Sequence, residues 1–419
     1  MLRRAIVVDV DPSPAPRSQK PVRGMSGEGS RAVDGPEQHL LIELASAAAD
    51  LDDGSAIDGS AAAAGVRAAI ADVALLGRAE VGDELIVNVQ ALELGLGSGG
   101  FDIVHVNLTR GLRGRGASRA NVMKLNYTSL QHAVEPVEDE QLHLPLKRPV
   151  AVLGLHGQLA AVAWAFAQGE PGGALGYVQT EGGALPGGHS RTVGALRERG
   201  LLAGHLTAGA AFGGEGEAIT TAGALHHGLR TLGWDAAVCG PGPGIVGSSS
   251  PLGHGGMSAL DSAHAALALG CPTLLVARMS SGDERARHRG ISHHTLTVLD
   301  LLLEPVTVAL PAGMRSPVGA DLRAGLGAVF GGAIPSRPVE DRPAVALSVA
   351  RPVRITRHDW RRAVVDLPAF AGSGLSTETM GRLLIEDPLF FGSALAGGAA
   401  LAELMTRARS EEDGAGEAA

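Results

Sequence analysis

The stretch "PVAVLGLHGQLAAVAWAFAQGEPGGALGYVQT", residues 149–180, decides the fold. Its apolar run "PVAVLGLH" has the length of a strand, "QLAAVAWAFAQG" carries apolar residues at helical spacing, and after a Gly/Pro turn "GALGYVQT" restores the strand pattern. That is one strand, one helix and the next strand. The pattern repeats downstream: "LLAGHLTAG" ends at Gly209, "DAAVCG" at Gly240, "CPTLLVARM" at Met279 and "EPVTVALP" at Pro311, with helix-like segments such as "SALDSAHAALALG" between them. Runs about thirty residues apart have the period of βα units, so residues 146–330 are predicted to form an α/β domain, a doubly wound, Rossmann-like parallel sheet. Six units are too few for a closed eightfold barrel.

Outside that block the signals change. "DELIVNVQALEL" and "FDIVHVNL" flank the loop "GLGSGG", and a hairpin or small barrel fits residues 40–145, an N-terminal β-rich domain. Residues 11–38 are rich in Pro, Ser, Gly and charge without a period, and the end "RARSEEDGAGEAA" is similar, so 1–39 and the acidic tail 405–419 are expected to be disordered. Residues 331–404 hold a strand-like "AVALSVARPVRI" and a helical "TETMGRLLIEDPLFFGSALAGGAALAELM", a block that caps the sheet or forms a homodimer face.

Composition bounds the partners. The net charge of -9 opposes attraction to nucleic acid or an anionic membrane, so the basic segments act locally. The apolar runs fall short of a spanning helix, and "MLRRAIVVDVDPSPAP" turns polar too soon for a signal peptide. Cys239 and Cys271 are too few for a disulfide framework, which favours a reducing cytoplasm. With 60 glycines and only 3% aromatic residues, tight turns and close backbone contacts are expected rather than a large aromatic core.

Ligands of an open parallel sheet bind beyond the carboxyl ends of its strands, where loops and helix N-termini converge. Glu181, in "TEGGALPGGHS", is a candidate general base or metal ligand there, or a helix-dipole partner. Gly242, Gly244 and Gly247 in "CGPGPGIVGSSSPLGHGGM" spell GxGxxG, but Pro243 interrupts it and the helix is predicted to start only near Met257, which argues against a nicotinamide dinucleotide. The loop reads better as an anion nest of amides and hydroxyls from Gly242, Gly244, Gly247, Ser248, Ser249 and Gly255, or as a loop that only packs against its neighbours.

The next strand ends in "RMSSGDERARHRGISHHTLT", residues 278–297, with four arginines and three histidines in a chain that is otherwise acidic. Arg278, Arg285 and Arg289 suit bidentate anion contacts, and His288, His293 and His254 suit proton transfer, with Glu181 or Asp283 as partner. A divalent metal is the rival use. Ser292 is placed to cap the following helix. Adjacent His293 and His294 point to different faces of that helix, so at most one of them is expected to share an ion with His288.

At these residues the chain resembles a bacterial family, the domain of unknown function 3866. The resemblance rests on "ELGLGSGGFDIVHV", "NYTSLQHAVEPVE", "TEGGALP", "AFGGEGEA", "GPGIVGSSSPLGHGGM", "RARHRGISHHTLT" and "MGRLLIEDPLFF", and spans about residues 75–395. It implies a common fold and transfers no activity. The residues themselves point to a cytoplasmic enzyme, of transferase or hydrolase type, on a small anionic or phosphorylated metabolite. A non-catalytic metabolite sensor and a structural or assembly protein are the alternatives.

Overall fold

Successive residues of strand β8 (Val150–Leu153) point to opposite faces of a sheet, and both sets are buried: Val150 and Val152 in one apolar cluster, Ala151 and Leu153 in another. A strand covered on both sides has no wet face, which is why it reads as an unbroken apolar run. The computed structural model describes residues 1–11, 37–45, 65–95, 100–111, 120–139, 141–314 and 352–417, and the chain divides into two compact units, Met1–Ser118 and Arg119–Ala419.

The first unit is a closed barrel of β1 (Leu2–Val10), β2 (Glu37–Leu44), β3 (Val66–Asp72), β4 (Glu84–Asn88) and β5 (Asp102–Asn107), with the short helices α1 (Val73–Leu76) and α2 (Gln90–Glu93). The order is β1-β2-β3-β5-β4; β4 pairs back onto β1, and β3 lies parallel to β5. Alternate residues of β2 are buried, and Ala5, Val7, Leu40, Ile42, Leu85 and Val87 fill the interior. The expected disorder over 1–39 is thus corrected at both ends: "AIVVDV" is barrel strand, as is the segment from Glu37, and residues 12–36 lie outside the described residues. Composition averaged over the whole segment hides a strand whose partners lie far along the chain.

The second unit begins earlier than the expected boundary at residue 146. The hairpin of β6 (Val122–Lys124) and β7 (His132–Val134) belongs to it, because the buried Lys124 ammonium donates to Glu217 at 2.7 Å and to the carbonyls of Ala211 and Thr207 at 2.6 and 3.2 Å. After β8 come α3 (Leu159–Gly169), β9 (Leu175–Thr180), α4 (Arg191–Glu198), β10 (Gly204–Ala208), β11 (Gly216–Ala218), α5 (Thr221–His226) and β12 (Ala236–Pro241). Then follow α6 (Ser258–Ala268), β13 (Thr273–Val276), the clasp strands β14 (Met279–Ser280) and β15 (Gly290–Ile291), α7 (His293–Leu301), β16 (Thr307–Ala312), α8 (Pro352–Thr356) and β17 (Asp359–Val364). All six predicted strands are present and parallel, within an eight-stranded sheet ordered β11-β10-β9-β12-β8-β13-β16-β17. The fourth of the six, β12, lies between the first and second, so the order departs from the dinucleotide-binding arrangement, in which the first and second are neighbours.

Helices α3 and α4 cover one face around Phe166 and Tyr177; α5, α6 and α7 cover the other around Trp234, Ala263 and Leu299. The Trp234 indole fits only because Gly176 carries no side chain, since a Cβ there would stand 1.9 Å from it. The final block, α9 (Leu367–Ala371), the hairpin β18 (Glu378–Thr379) and β19 (Arg382–Leu383), and α10 (Pro388–Glu417), adds to the α3 face. The strand read in "AVALSVARPVRI" lies mainly outside the described residues, and its last part is α8. "TETMGRLL" is a hairpin rather than helix, because Met380 and Gly381 both take positive φ, +48° and +72°, as a two-residue turn requires.

Helix α10 packs along α3, and at Gly398 a Cβ would come within 2.2 Å of the Val162 carbonyl, so the close approach needs glycine. Its Pro388–Glu411 part is long and apolar enough to cross a membrane by length and composition, which the sequence reading had excluded, but 83% of its most apolar window is buried inside the protein. The helix runs to Glu417, through most of the tail expected to be disordered.

Candidate functional site

Strand β8 delivers the chain to α3 on one face, while its neighbours β12 and β13 deliver theirs to α6 and α7 on the other. Loops that part in this way open a crevice at the strand ends. A small cavity lies there, lined by Gly154 and Leu155 after β8, His254 and Gly256 before α6, Arg278 after β13, and His294. The two segments singled out in the sequence, the Gly/Ser loop and the Arg/His turn, therefore meet on one rim.

Local chemistry shapes the Arg/His turn. Pairing of Met279 with Ile291 and Ser280 with Gly290 clasps its ends, and Gly290 has φ +65°, the left-handed region that favours glycine. Residues Ala286–His288 make one 3₁₀ turn, and Ser292 caps α7 as predicted, its Oγ accepting from the His294 amide at 3.3 Å. The same hydroxyl lies 2.8 Å from His288 Nδ1 and fixes that ring. Ser292→Ala should cost about 1 kcal/mol through the lost cap. Urea denaturation reads it, and a change under about 0.3 kcal/mol would show that the cap contributes nothing.

Four imidazoles gather here. His254 stacks on His294 with ring centres 3.3 Å apart; His288 lies 5.0 Å from His293 and 4.9 Å from His294, and those two are 4.1 Å apart. One ligand atom from each of His288, His293 and His294 falls within 4.8 Å of the others, which corrects the expectation that adjacent histidines diverge. The reason is position: Cβ bonds tilt toward a helix N-terminus, so side chains of the first turn lean back over the loop that holds His288. Burial, together with the positive charge of Arg278, lowers His288 to about 3; burial and the neighbouring His254 lower His294 to about 2; burial and His293 lower His254 to about 4. His293 is lowered as well, by burial and then Arg287. All four are neutral at pH 7.

Arg278 is 5% exposed and donates through Nη1 to His294 Nδ1 at 3.2 Å, while its Nε is buried without a partner. Burial lowers it to about 10, so it remains charged. Asp283 accepts from the Arg285 Nε and Nη2 at 2.9 and 2.8 Å, and lies 3.4 Å from Arg278 and 3.5 Å from Arg382. Those guanidinium and amide bonds outweigh its burial and hold the carboxyl far below its usual range. With both oxygens engaged by arginines, Asp283 is a counter-ion here and not a free base. Arg285 faces solvent apart from that bond, and Arg289 donates to the Asp283 carbonyl at 2.9 Å.

The Gly/Ser loop folds back on itself and onto its neighbours. Three of its amides bond within the loop: Ser248 donates to the Gly253 carbonyl at 2.6 Å, Gly255 to Val246 at 2.7 Å, and Ser250 to Ser248 Oγ at 3.2 Å. Ser248 and Ser249 are exposed. Gly242 and Gly255 are glycines because a Cβ would stand 2.2 Å from the Ala184 carbonyl and 1.7 Å from that of Gly182. Gly247 bridges to His254, and Gly244 turns at φ +68°. The loop thus packs on the loop after β9 and holds His254 over the cavity. Glu181 lies elsewhere, its carboxylate over Gly209, and does not line the cavity.

Sequence reasoning missed Arg382 and Asp387. The fully buried Asp387 accepts from Ser280 Oγ at 2.6 Å, the Ser281 and Gly282 amides at 2.8 and 3.2 Å, and Arg382 Nε at 3.1 Å, which straps the β18–β19 hairpin onto the Arg/His turn. Their signal was present in "MGRLLIEDPLFF", where an arginine and two acids interrupt an apolar run.

No curated protein and no solved structure matches this chain. A family model described as "Protein of unknown function (DUF3866)" matches residues 68–398, from the third barrel strand through the sheet, the histidine cluster and the strap into α10. With well over half of its length matched, the chain belongs to that family.

Proposed function

We propose that this protein is a small-molecule enzyme, of transferase or hydrolase type, that binds an anionic or phosphorylated metabolite in the crevice beside β8, with Arg278 as the anion-binding residue and the surrounding imidazoles as reactive groups. The observation that carries the reading is the buried Arg278 guanidinium lining the cavity with Nε unpartnered. Charge supports it. Three guanidiniums, Arg278, Arg285 and Arg382, share two carboxylates, Asp283 and Asp387, so the rim carries an excess positive charge. The strand order speaks against a Rossmann-type cofactor. The apolar helix read as a homodimer face is largely buried against its own chain, which leaves the assembly reading with less surface to use.

Inorganic phosphate, pyrophosphate and citrate are the probes. A ligand present at a hundred times its Kd raises native stability by about 2.7 kcal/mol. At least one probe should raise Tm, and Arg278→Ala should weaken its binding by about tenfold to a hundredfold, the range of one charge-assisted hydrogen bond. Arg278→Lys, which keeps the charge and loses the fork, should recover part of that. No shift with any probe, or an equal shift in Arg278→Ala, would sink the reading. Tight binding without turnover across phosphorylated substrates would turn it toward a sensor.

A further inference from the structure

We infer that His288, His293 and His294 form a three-histidine site for one divalent transition-metal ion of the zinc class, with its fourth position open to the cavity beside Arg278. This deepens the proposed anion pocket and rests on it for the identity of the fourth ligand.

The geometry comes first. Imidazole nitrogens bind zinc at about 2.0–2.1 Å, which sets ring centres of tetrahedral neighbours about 5 Å apart. The separations of 5.0 and 4.9 Å from His288 already match, and the 4.1 Å between His293 and His294 requires one side-chain rotation. His254, stacked at 3.3 Å on His294, is too close to it for both to be tetrahedral ligands of one ion, so it braces the His294 ring. A second, independent observation points to a missing partner: Nε2 of His293 and Nε2 of His294 are buried without a hydrogen bond. Buried polar atoms left unpaired cost stability unless something fills the site. The donor set is imidazole alone, which suits zinc, copper, nickel or iron rather than magnesium or calcium. Both cysteines lie in the apolar core and take no part.

Arg278 couples the ion to the anion. Its Nη1 donates to His294 Nδ1, which places the proton of that neutral ring on Nε2. For Nε2 of the neutral ring to ligate, the proton must move to Nδ1, and Arg278 must then give up its bond to Nδ1 and turn that donor to another acceptor. A dication next to a freed guanidinium calls for a negative ligand at the open position. Metal and phosphate should therefore bind cooperatively, each raising the affinity of the other by the same factor.

The test uses the full-length, untagged chain, stripped with a chelator and titrated with Zn²⁺ by calorimetry, and with Co²⁺ by visible absorption, which reports tetrahedral coordination. One ion per chain is expected. His288→Ala and His293→Gln should each weaken binding at least tenfold, whereas His254→Ala should keep the stoichiometry. His293→Gln, at a half-buried position, guards against a result caused by misfolding, and circular dichroism checks each variant. Phosphate at saturation should raise Zn²⁺ affinity. No Zn²⁺ or Co²⁺ binding, or binding unchanged in both His288→Ala and His293→Gln, overturns the metal site. If phosphate still stabilises the stripped protein in that case, the anion reading survives alone. If metal binds but no anion stabilises either form, the metal site stands and the anion reading falls.

Discussion

Between pH 6.5 and 4, chelator-treated protein is expected to lose stability from three histidines outside the pocket, with a slope that reaches about 4 kcal/mol per pH unit near the middle of that window. His156, His205 and His358 are each lowered to about 4, in every case first by burial. Their bonds show why the folded state keeps them neutral. Ser190 Oγ, 2.7 Å from His156 Nε2, donates to the ring, because the Pro241 carbonyl on the other side of that neutral ring can only accept. The proton of His156 is then on Nδ1, facing the Pro241 carbonyl at 3.2 Å. His358 Nδ1 accepts from the Val306 amide at 3.1 Å, and its Nε2 donates to the Leu299 carbonyl at 2.9 Å. A second proton on either ring would break a bond that a buried donor needs.

The sign follows from the two states. In the unfolded chain a histidine takes its proton near 6.5, in the native protein only near 4, so inside that window the unfolded state binds up to three more protons and stability falls as pH falls. Each proton contributes about 1.4 kcal/mol per pH unit, and the pocket histidines act in the same direction. Below about pH 4 the native rings protonate too and this slope flattens, while carboxylates lowered by their partners, such as Asp83 and Asp235, carry the loss further down. Urea midpoints at pH 7.5, 6.5, 5.5 and 4.5 measure it. His358→Gln should reduce the slope by about 1.4 kcal/mol per pH unit, and a flat profile down to pH 5 would show that these rings are solvated and charged in the native state.

What the sequence discloses follows from which interactions are local. The six parallel strands are legible because burial on two faces leaves an apolar mark on every residue of a run, and the helices between them have a period of their own. Strand order leaves no such mark. It depends on which face each crossover takes, and β12 slips between β8 and β9 without any residue that announces it. The site was half legible: the rule that ligands bind at strand ends selected both His254 and the Arg278 turn. Gly242 and Gly255, read as anion-binding amides, also lack a side chain where two loops touch through the backbone. Ideal helical phase sent His293 and His294 apart, although first-turn side chains lean toward the loop before the helix. Arg382 and Asp387 arrive from a hundred residues downstream, and only the fold brings them to the turn.

That downstream strap sets the largest single-residue effect expected. Asp387 is fully buried, and its two oxygens hold Ser280, the Ser281 and Gly282 amides and Arg382 at once. Asp387→Ala leaves two backbone donors, a hydroxyl and a guanidinium facing an empty volume. Removing one partner of a buried charge pair costs about 3–5 kcal/mol, mostly because the groups left behind stay desolvated and unpaired. Pro388 still opens α10, where its missing N–H costs nothing, so the helix itself should survive and the loss should sit at the join between hairpin and turn. Asp387→Asn separates the contributions: it keeps one acceptor and the volume, and should lose less. Ser280 Oγ also accepts from the Asp283 amide at 2.9 Å, so slack at Asp387 passes directly to the carboxylate that holds Arg278. Stability and phosphate affinity should therefore fall together in Asp387→Ala. A loss under 1 kcal/mol would mean water replaces the carboxylate, and an unchanged phosphate affinity alongside a large stability loss would disconnect the strap from the pocket.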